Sequence, residues 1–176
     1  ELNSIENGLG PLVVDLSQNL ALEDLDLSNN EMTSIDIVNN VNLTDLDLGS
    51  NELTTLDITS NVLLEDVNVN RNQLTTLDLS QNPLLERLNI SYNQFPGLDV
   101  TNNPELGSLI ISNNLFTGTG LDLTQNPQLY YIDCSFNQIQ SLNITQNTNL
   151  ASFIGNNNLF SGTDIMDQFY NIQAAR

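Results

Sequence analysis

Carboxylates carry most of the chemistry available to this sequence. Asp24 and Asp26 flank a leucine, Asp45 and Asp47 flank another, and Asp66 opens the next such triplet. Alternate residues of an extended segment share a face, so these acids collect on one surface. The same reading places Asn68, Arg87, Asn89, Ser108, Ile110, Tyr131 and Asp133 further along it, with Tyr92 and Phe136 close by. Such a surface admits three roles. It is a solvated acidic face, a recognition patch for a basic partner, or a site for a divalent cation. Calcium, which takes oxygen ligands alone, would use Asp24, Asp26, Asp45, Asp47 and Asp66. Glycoside hydrolysis by a carboxylate pair has the right separation on adjacent strands, roughly 5–5.5 Å for a retaining mechanism. A smooth repeated surface, however, offers no pocket to desolvate one acid. No catalytic residue is assigned, and the chain reads as a non-enzyme.

The residue types that are missing narrow the field further. Against 22 acidic residues stand Arg71, Arg87 and Arg176, with no lysine and no histidine, giving a net charge of −19. That removes Ser-His-Asp and Cys-His catalysis, lysine Schiff bases and the phosphate-loop lysine. Nucleic acid and anionic membranes need clustered cations and are poor partners. No apolar run approaches the 18 or so residues of a membrane-spanning helix. The single cysteine, Cys134, gives no disulfide framework. A lysine-free acidic surface stays hydrated in salt, which suits an exported protein. Glu1 reads as a mature or excised start.

A repeat positions these side chains. Leu22-Glu-Asp-Leu25-Asp-Leu27-Ser-Asn-Asn30 recurs from Leu43, Leu64 and Leu85, a step of 21, and later copies begin at Leu106, Leu129 and Leu150. The unit is LxxLxLxxN. A second half, xLDLxxN, recurs at Leu56-Asp57-Ile58, Leu77-Asp78-Leu79, Leu98-Asp99-Val100 and Leu121-Asp122-Leu123, with Asn143 in the acid's place at Leu142-Asn143-Ile144. The copy from Leu106 is longer because Thr117-Gly-Thr-Gly120 is inserted. One such coil cannot bury its own leucines, so neighbours must stack and share a core. Leu25, Leu46, Val67, Leu88, Leu109, Ile132 and Phe153 form one inward column. Leu27, Leu48, Val69, Ile90, Ile111 and Cys134 form the next, which makes Cys134 a small core hydrophobe.

This pattern resembles the leucine-rich repeats, of which LxxLxLxxN is the highly conserved segment. The short unit with its second LDL segment is similar to the compact bacterial subclass found in internalin-like and other exported surface proteins. The resemblance implies a leucine-rich repeat solenoid of right-handed coils with a parallel β-sheet on the concave face. Its convex side would be mostly extended or turn-like, and about eight coils, partial ends included, would occupy residues 1–163. No functional residues transfer with it, because binding sites in this family lie at variable positions.

Asparagines have structural duties in this scheme. Asn30, Asn51, Asn72, Asn93, Asn114, Asn137 and Asn158 form one ladder, and Asn19, Asn40, Asn61, Asn82, Asn103, Asn126 and Asn147 form another. An amide can bond its own turn and the coil next door. The column Asp15, Asp36, Asp57, Asp78, Asp99 and Asp122 recurs in coil after coil and is expected to bond turn N–H groups. Ile165, Met166, Phe169, Tyr170 and Ile172 fall at helical spacing, so 164–176 forms a helical cap with Thr163 or Asp164 as N-cap. Residues 1–21 read as a degenerate first coil of a module cut from a longer protein.

The functional expectation is a non-catalytic, extracellular or cell-surface recognition module that binds a protein through its concave face. The candidate face is Asp24, Asp26, Asp45, Asp47, Asp66, Arg87, Tyr92, Ile110, Tyr131, Asp133 and Phe136. Carbohydrate binding by tyrosine and phenylalanine platforms is the alternative, and a passive spacer the third. No cofactor is expected; calcium is the one candidate.

Overall fold

The structure, a computed structural model, describes residues 2–3, 14–118, 121–161 and 164–176. Most of the first partial coil, two residues of the 117–120 insertion and the N-cap candidate Thr163 lie outside these.

Each triplet centred on the second leucine of LxxLxL, or its equivalent, forms a strand of three residues. They are β2 (Asp24–Asp26), β3 (Asp45–Asp47), β4 (Asp66–Asn68), β5 (Arg87–Asn89), β6 (Ser108–Ile110), β7 (Tyr131–Asp133) and β8 (Ser152–Ile154), preceded by the short β1 (Leu2–Asn3). All pair in parallel, in chain order, as one eight-stranded sheet. The 21-residue step keeps the register, so Leu25 faces Leu46, Leu46 faces Val67, and Leu88 faces Leu109. Strands this short would not hold alone. They persist because the triplet's central side chain is buried on one side and flanked by stacked backbone hydrogen bonds on both edges.

Both inward columns are buried as expected up to β7. Leu25, Val67, Leu109 and Ile132 are fully enclosed, as are Leu27, Leu48, Val69, Ile90, Ile111 and Cys134. Phe153 in the last coil is only partly covered. A third column, Met32, Leu53, Leu74, Phe95, Phe116 and Ile139, fills the width of the rod, with phenylalanines in the fifth and sixth coils. Among the described residues the convex side carries no helix and no regular strand, only an isolated bridge between Thr117 and Gln138.

The two ladders work differently. In the first, Asn72 Nδ2 donates to Val69 O in its own turn and Leu48 O in the coil before, at 3.2 and 2.9 Å, while its Oδ1 accepts from Leu53 N at 2.9 Å. In the second, Asn61 Nδ2 donates to Ile37 O and Asn40 O, both in the preceding coil, at 3.0 and 2.9 Å. The second ladder therefore binds only next door, contrary to the expectation that it would also hold its own turn. There the turn closes through its backbone, Asn61 N to Ile58 O and Leu64 N to Asn61 O. The Oδ1 atoms of Asn40, Asn61, Asn82, Asn103, Asn126 and Asn147 are buried with no hydrogen-bond partner among the described residues. Such an oxygen costs about 1–3 kcal/mol; the two backbone carbonyls that each amide satisfies offset it.

Helix α1 (Asp164–Ala174) closes the last coil. Ile165 and Ile172 are buried and Phe169 packs on the core, a stripe at i, i+4 and i+7. Met166 and Tyr170, which share the helical spacing, are 42% and 63% exposed because they lie about 90° and about 130° round the helix from that stripe. Asp164 and Asp167 occupy the first turn, where the helix dipole favours negative charge. Gln168 ties the helix to the stack, accepting from Ile144 N at 2.9 Å.

Candidate functional site

The outward positions of β2 to β6 line an open trough of about 420 Å3. Its walls include Asp24, Asp26, Asp45, Asp47, Asp66, Arg87 and Ile110, so seven of the candidate residues share one feature. Like charges sit directly opposite one another in the ladder: Asp24 faces Asp45, Asp26 faces Asp47, and Asp45 faces Asp66. Repulsion between such pairs disfavours the sheet, and one arrangement relieves it. Asp66 faces Arg87, whose Nε lies 2.7 Å from Asp66 Oδ2, with Glu86 at 3.6 Å from its Nη1. The hydrogen bond to Asp66, then that carboxylate's charge, raises the pKa of Arg87 further and keeps it a cation. The pair is about half exposed and adds little stability; its effect is to end the acidic stretch at β5.

The two outward positions of each strand turn out to be unlike. The second accepts a hydrogen bond from the backbone two residues on: Ser28 N to Asp26, Gly49 N to Asp47, Asn70 N to Asn68, Ser91 N to Asn89 and Ser135 N to Asp133, at 2.8–3.2 Å. These are Asx turns that help the chain leave the strand. Asp26, Asp47 and Asp133 thus cap their turns, while Asp24, Asp45 and Asp66 do not: Asp45 Oδ2 accepts from Thr44 Oγ1 at 2.7 Å, and Asp66 is paired with Arg87. Asp47 is also bonded by Asn68 Nδ2 at 2.9 Å. Among the described residues no three acidic or sulfur-bearing side chains gather in a group that could hold a metal ion.

The same turn occurs in the other half of each coil, as expected. Asp15, Asp36, Asp57, Asp78, Asp99 and Asp122 each accept from the backbone N–H two residues on, at 2.9–3.1 Å. Bonds to Ser17, Thr59, Ser80, Thr101 and Thr124 hold the carboxyls of Asp15, Asp57, Asp78, Asp99 and Asp122 below the usual range.

Tyr131 and Asp133 stand on β7, beyond the trough's lining. Tyr92 and Phe136, in contrast, are not on the strand face. Each occupies the turn three residues past its strand, where every coil needs a left-handed residue. Asn29, Ser50, Arg71, Tyr92, Asn113, Phe136 and Asn157 all have φ between 51° and 56°. Asparagine tolerates this conformation; a bulky side chain does so at roughly 1–2 kcal/mol. Tyr92 and Phe136 are 47% and 52% exposed, and the Arg71 guanidinium lies 4.4 Å from the centre of the Tyr92 ring. Arg71 was not among the sequence candidates; being one of only three cations was its signal.

On the opposite edge of the sheet stands Tyr130, a neighbour of the concave face that is not among the candidate residues. Its column runs Glu23, Thr44, Glu65, Glu86, Gly107, Tyr130 and Ala151. The ring lies across Gly107, where an added Cβ would come within 2.7 Å of Tyr130 Cε1. Glu86, Arg87, Glu105, Gly107, Gln128 and Tyr130 enclose about 230 Å3. The signal was the glycine standing where other coils carry a side chain. Cys134 is inert: burial, chiefly, pushes its thiol up to about 12.

No protein-family model matches the chain, and no curated protein matches it either. Solved structures do. A functional domain of InlJ from Listeria monocytogenes, described as including a cysteine ladder, is 33% identical over 89% of this chain with a TM-score of 0.67. A leucine-rich repeat protein of Leptospira interrogans is 23% identical over 90% with a TM-score of 0.79, and internalin C2 of Listeria monocytogenes 23% identical over 78% with a TM-score of 0.71. The chain spans 39%, 43% and 63% of those three, respectively. At 23% identity the latter two bear on the fold alone. In contrast to the cysteine ladder described for the InlJ domain, this chain has a single cysteine, Cys134. The repeat step, the in-register parallel sheet and the 33% likeness to the InlJ domain together make the chain a bacterial leucine-rich repeat protein of the internalin-like class.

Proposed function

We propose that the concave sheet is a non-catalytic protein-recognition surface of an exported bacterial protein, and that it acts without a cofactor. The observation that carries this reading is the trough's polarity. Asp24, Asp45 and Asp66 line one end, Arg87 closes that stretch, and Ser108, Ile110 and Tyr131 continue it as a less charged surface in which Asp133 is the one acid. A basic partner is steered to the acidic end and seated against the less charged one; such charge sets orientation and on-rate more than affinity. The likeness to internalins and a Leptospira repeat protein supports an interaction module. The test is binding of basic peptides and proteins to the parent and to Asp24→Asn/Asp45→Asn. The variant is expected to associate several-fold more slowly and with a weaker salt dependence; identical kinetics overturns the reading.

One observation favours a second reading. Tyr130 laid over Gly107, beside Glu86, Glu105 and Gln128, has the make-up of a sugar-stacking platform. A neutral-glycan array separates the two: signal lost in Tyr130→Ala supports carbohydrate binding, and silence in both experiments supports a spacer.

A further inference from the structure

We infer that the left-handed turn column on the strand-exit edge of the sheet carries a second docking element, a ridge of Arg71, Tyr92 and Phe136 that anchors an apolar, lysine- or arginine-flanked segment of a protein partner. The inference rests on the protein-recognition reading above and adds a place the strand face does not include.

Backbone preference makes the case. All seven turns demand φ near 55°, and Asn29, Asn113 and Asn157 meet that demand with the residue that tolerates it best among those with a side chain. Arg71, Tyr92 and Phe136 meet it with large side chains that the conformation disfavours. Core packing does not explain them, because Tyr92 and Phe136 are about half exposed and buried leucines, isoleucines and valines already fill the columns beneath. Strain retained at exposed positions points to use of the side chains themselves. Arg71 stacks on Tyr92, which holds that ring in place before any partner arrives. Two strand spacings, about 10 Å, separate the coils of Tyr92 and Phe136, and the small Asn113 lies between them as a gap in the ridge.

Charge specifies the occupant. Arg71 and Tyr92 follow β4 and β5, whose outward residues line the trough, Phe136 follows β7 with its Asp133, and the chain as a whole carries −19. An apolar side chain seated between Tyr92 and Phe136 lies beside the uncharged β6, and the residues on either side of it reach toward Asp133 on β7 and toward the acidic end of the trough from Asp66 on β4, so those neighbours should be cationic. A second copy of this chain, equally acidic, is disfavoured by the same field.

The probe is a phage-displayed random peptide library panned on the parent protein, with selected peptides measured on Tyr92→Asn/Phe136→Asn and on Asp24→Asn/Asp45→Asn. Asparagine is the residue already used at this turn, so the ridge variant should fold, with a melting temperature unchanged or raised by about 2–4 °C. The expected result is enrichment of peptides combining aromatic or aliphatic residues with lysine or arginine. Their affinity should fall at least tenfold on the ridge variant through faster dissociation. If peptides are selected but only the trough variant weakens them, the ridge is overturned and concave-face recognition stands. If none is selected, both fail. A melting temperature several degrees lower in the ridge variant makes Tyr92 and Phe136 covers for the core's rim and overturns the ridge as well.

Discussion

At the scale of single residues, asparagine and aspartate do what backbone alone does in a longer strand or helix. Asn72 bonds four backbone groups, two in its own turn and two in the coil before, and Asn171 stands exposed on α1. Asn72→Ala should therefore destabilise by about 1–3 kcal/mol, and Asn171→Ala by a few tenths at most; chemical denaturation midpoints measure both. Equal, negligible shifts would remove the ladder's structural role. The convex Asp column sets a pH limit. The bond from Ser80 N–H lowers the Asp78 carboxyl, with the Ser80 side chain second, and outweighs the opposing charges of Asp57 and Asp99. A carboxyl lowered by folding stabilises fully above its unfolded value, about 4, and loses that contribution as pH falls through its lower folded value. Thermal stability is thus expected to fall on acidification below about pH 4. Replacing Asp57, Asp78 and Asp99 by Asn keeps the acceptor, as Asn143 already does for Thr145 N, and should flatten that acid limb.

At the scale of the element, the strand-exit turn decides which side chains are available for binding. Five coils use Asp or Asn to cap it, and β6 has Ile110 at that position instead. Ile110 offers no oxygen to Ser112 N–H, yet it lines the trough. Ile110→Asn restores the bond found one coil earlier between Asn89 and Ser91, and is expected to stabilise the protein by about 0.5–1.5 kcal/mol while weakening partner binding. Urea titration paired with binding kinetics checks both halves; a destabilised variant would show that Ile110 is there for packing.

Seen as a whole molecule, the protein is a one-dimensional stack in which each coil leans only on its neighbours. Stability is then lost from the ends. The final coil depends on α1: Phe153 packs against Phe160 and Phe169 with ring centres 6.4 and 6.2 Å apart, and Gln173 and Arg176 reach back to Leu150 O and Asn149 O. Placing a charge in that seam with Ile172→Asp should release the cap. Hydrogen exchange would then rise first at 152–154 and progressively less toward β5. Uniform exchange along the stack would mean the coils unfold as one unit. No helix among the described residues is long and apolar enough to cross a membrane.

The sequence by itself determined the repeat, the inward columns, the first ladder's bonding and the Asx duty of the convex aspartates. All four follow from a 21-residue period, because once the register is fixed a residue meets only its own equivalents above and below. Three features needed the tertiary structure. The placing of Tyr92 and Phe136 in left-handed turns, off the strand face, depended on where three-residue strands end. The LxxLxL pattern does not mark that point. The split between carboxylates that cap the turn, such as Asp26 and Asp47, and those that do not, such as Asp24 and Asp45, depended on how the chain leaves the sheet. Tyr130 over Gly107 depended on two unlike residues meeting across adjacent coils. A repeat pattern predicts what the copies share; what they do not share is decided by which exceptions become neighbours.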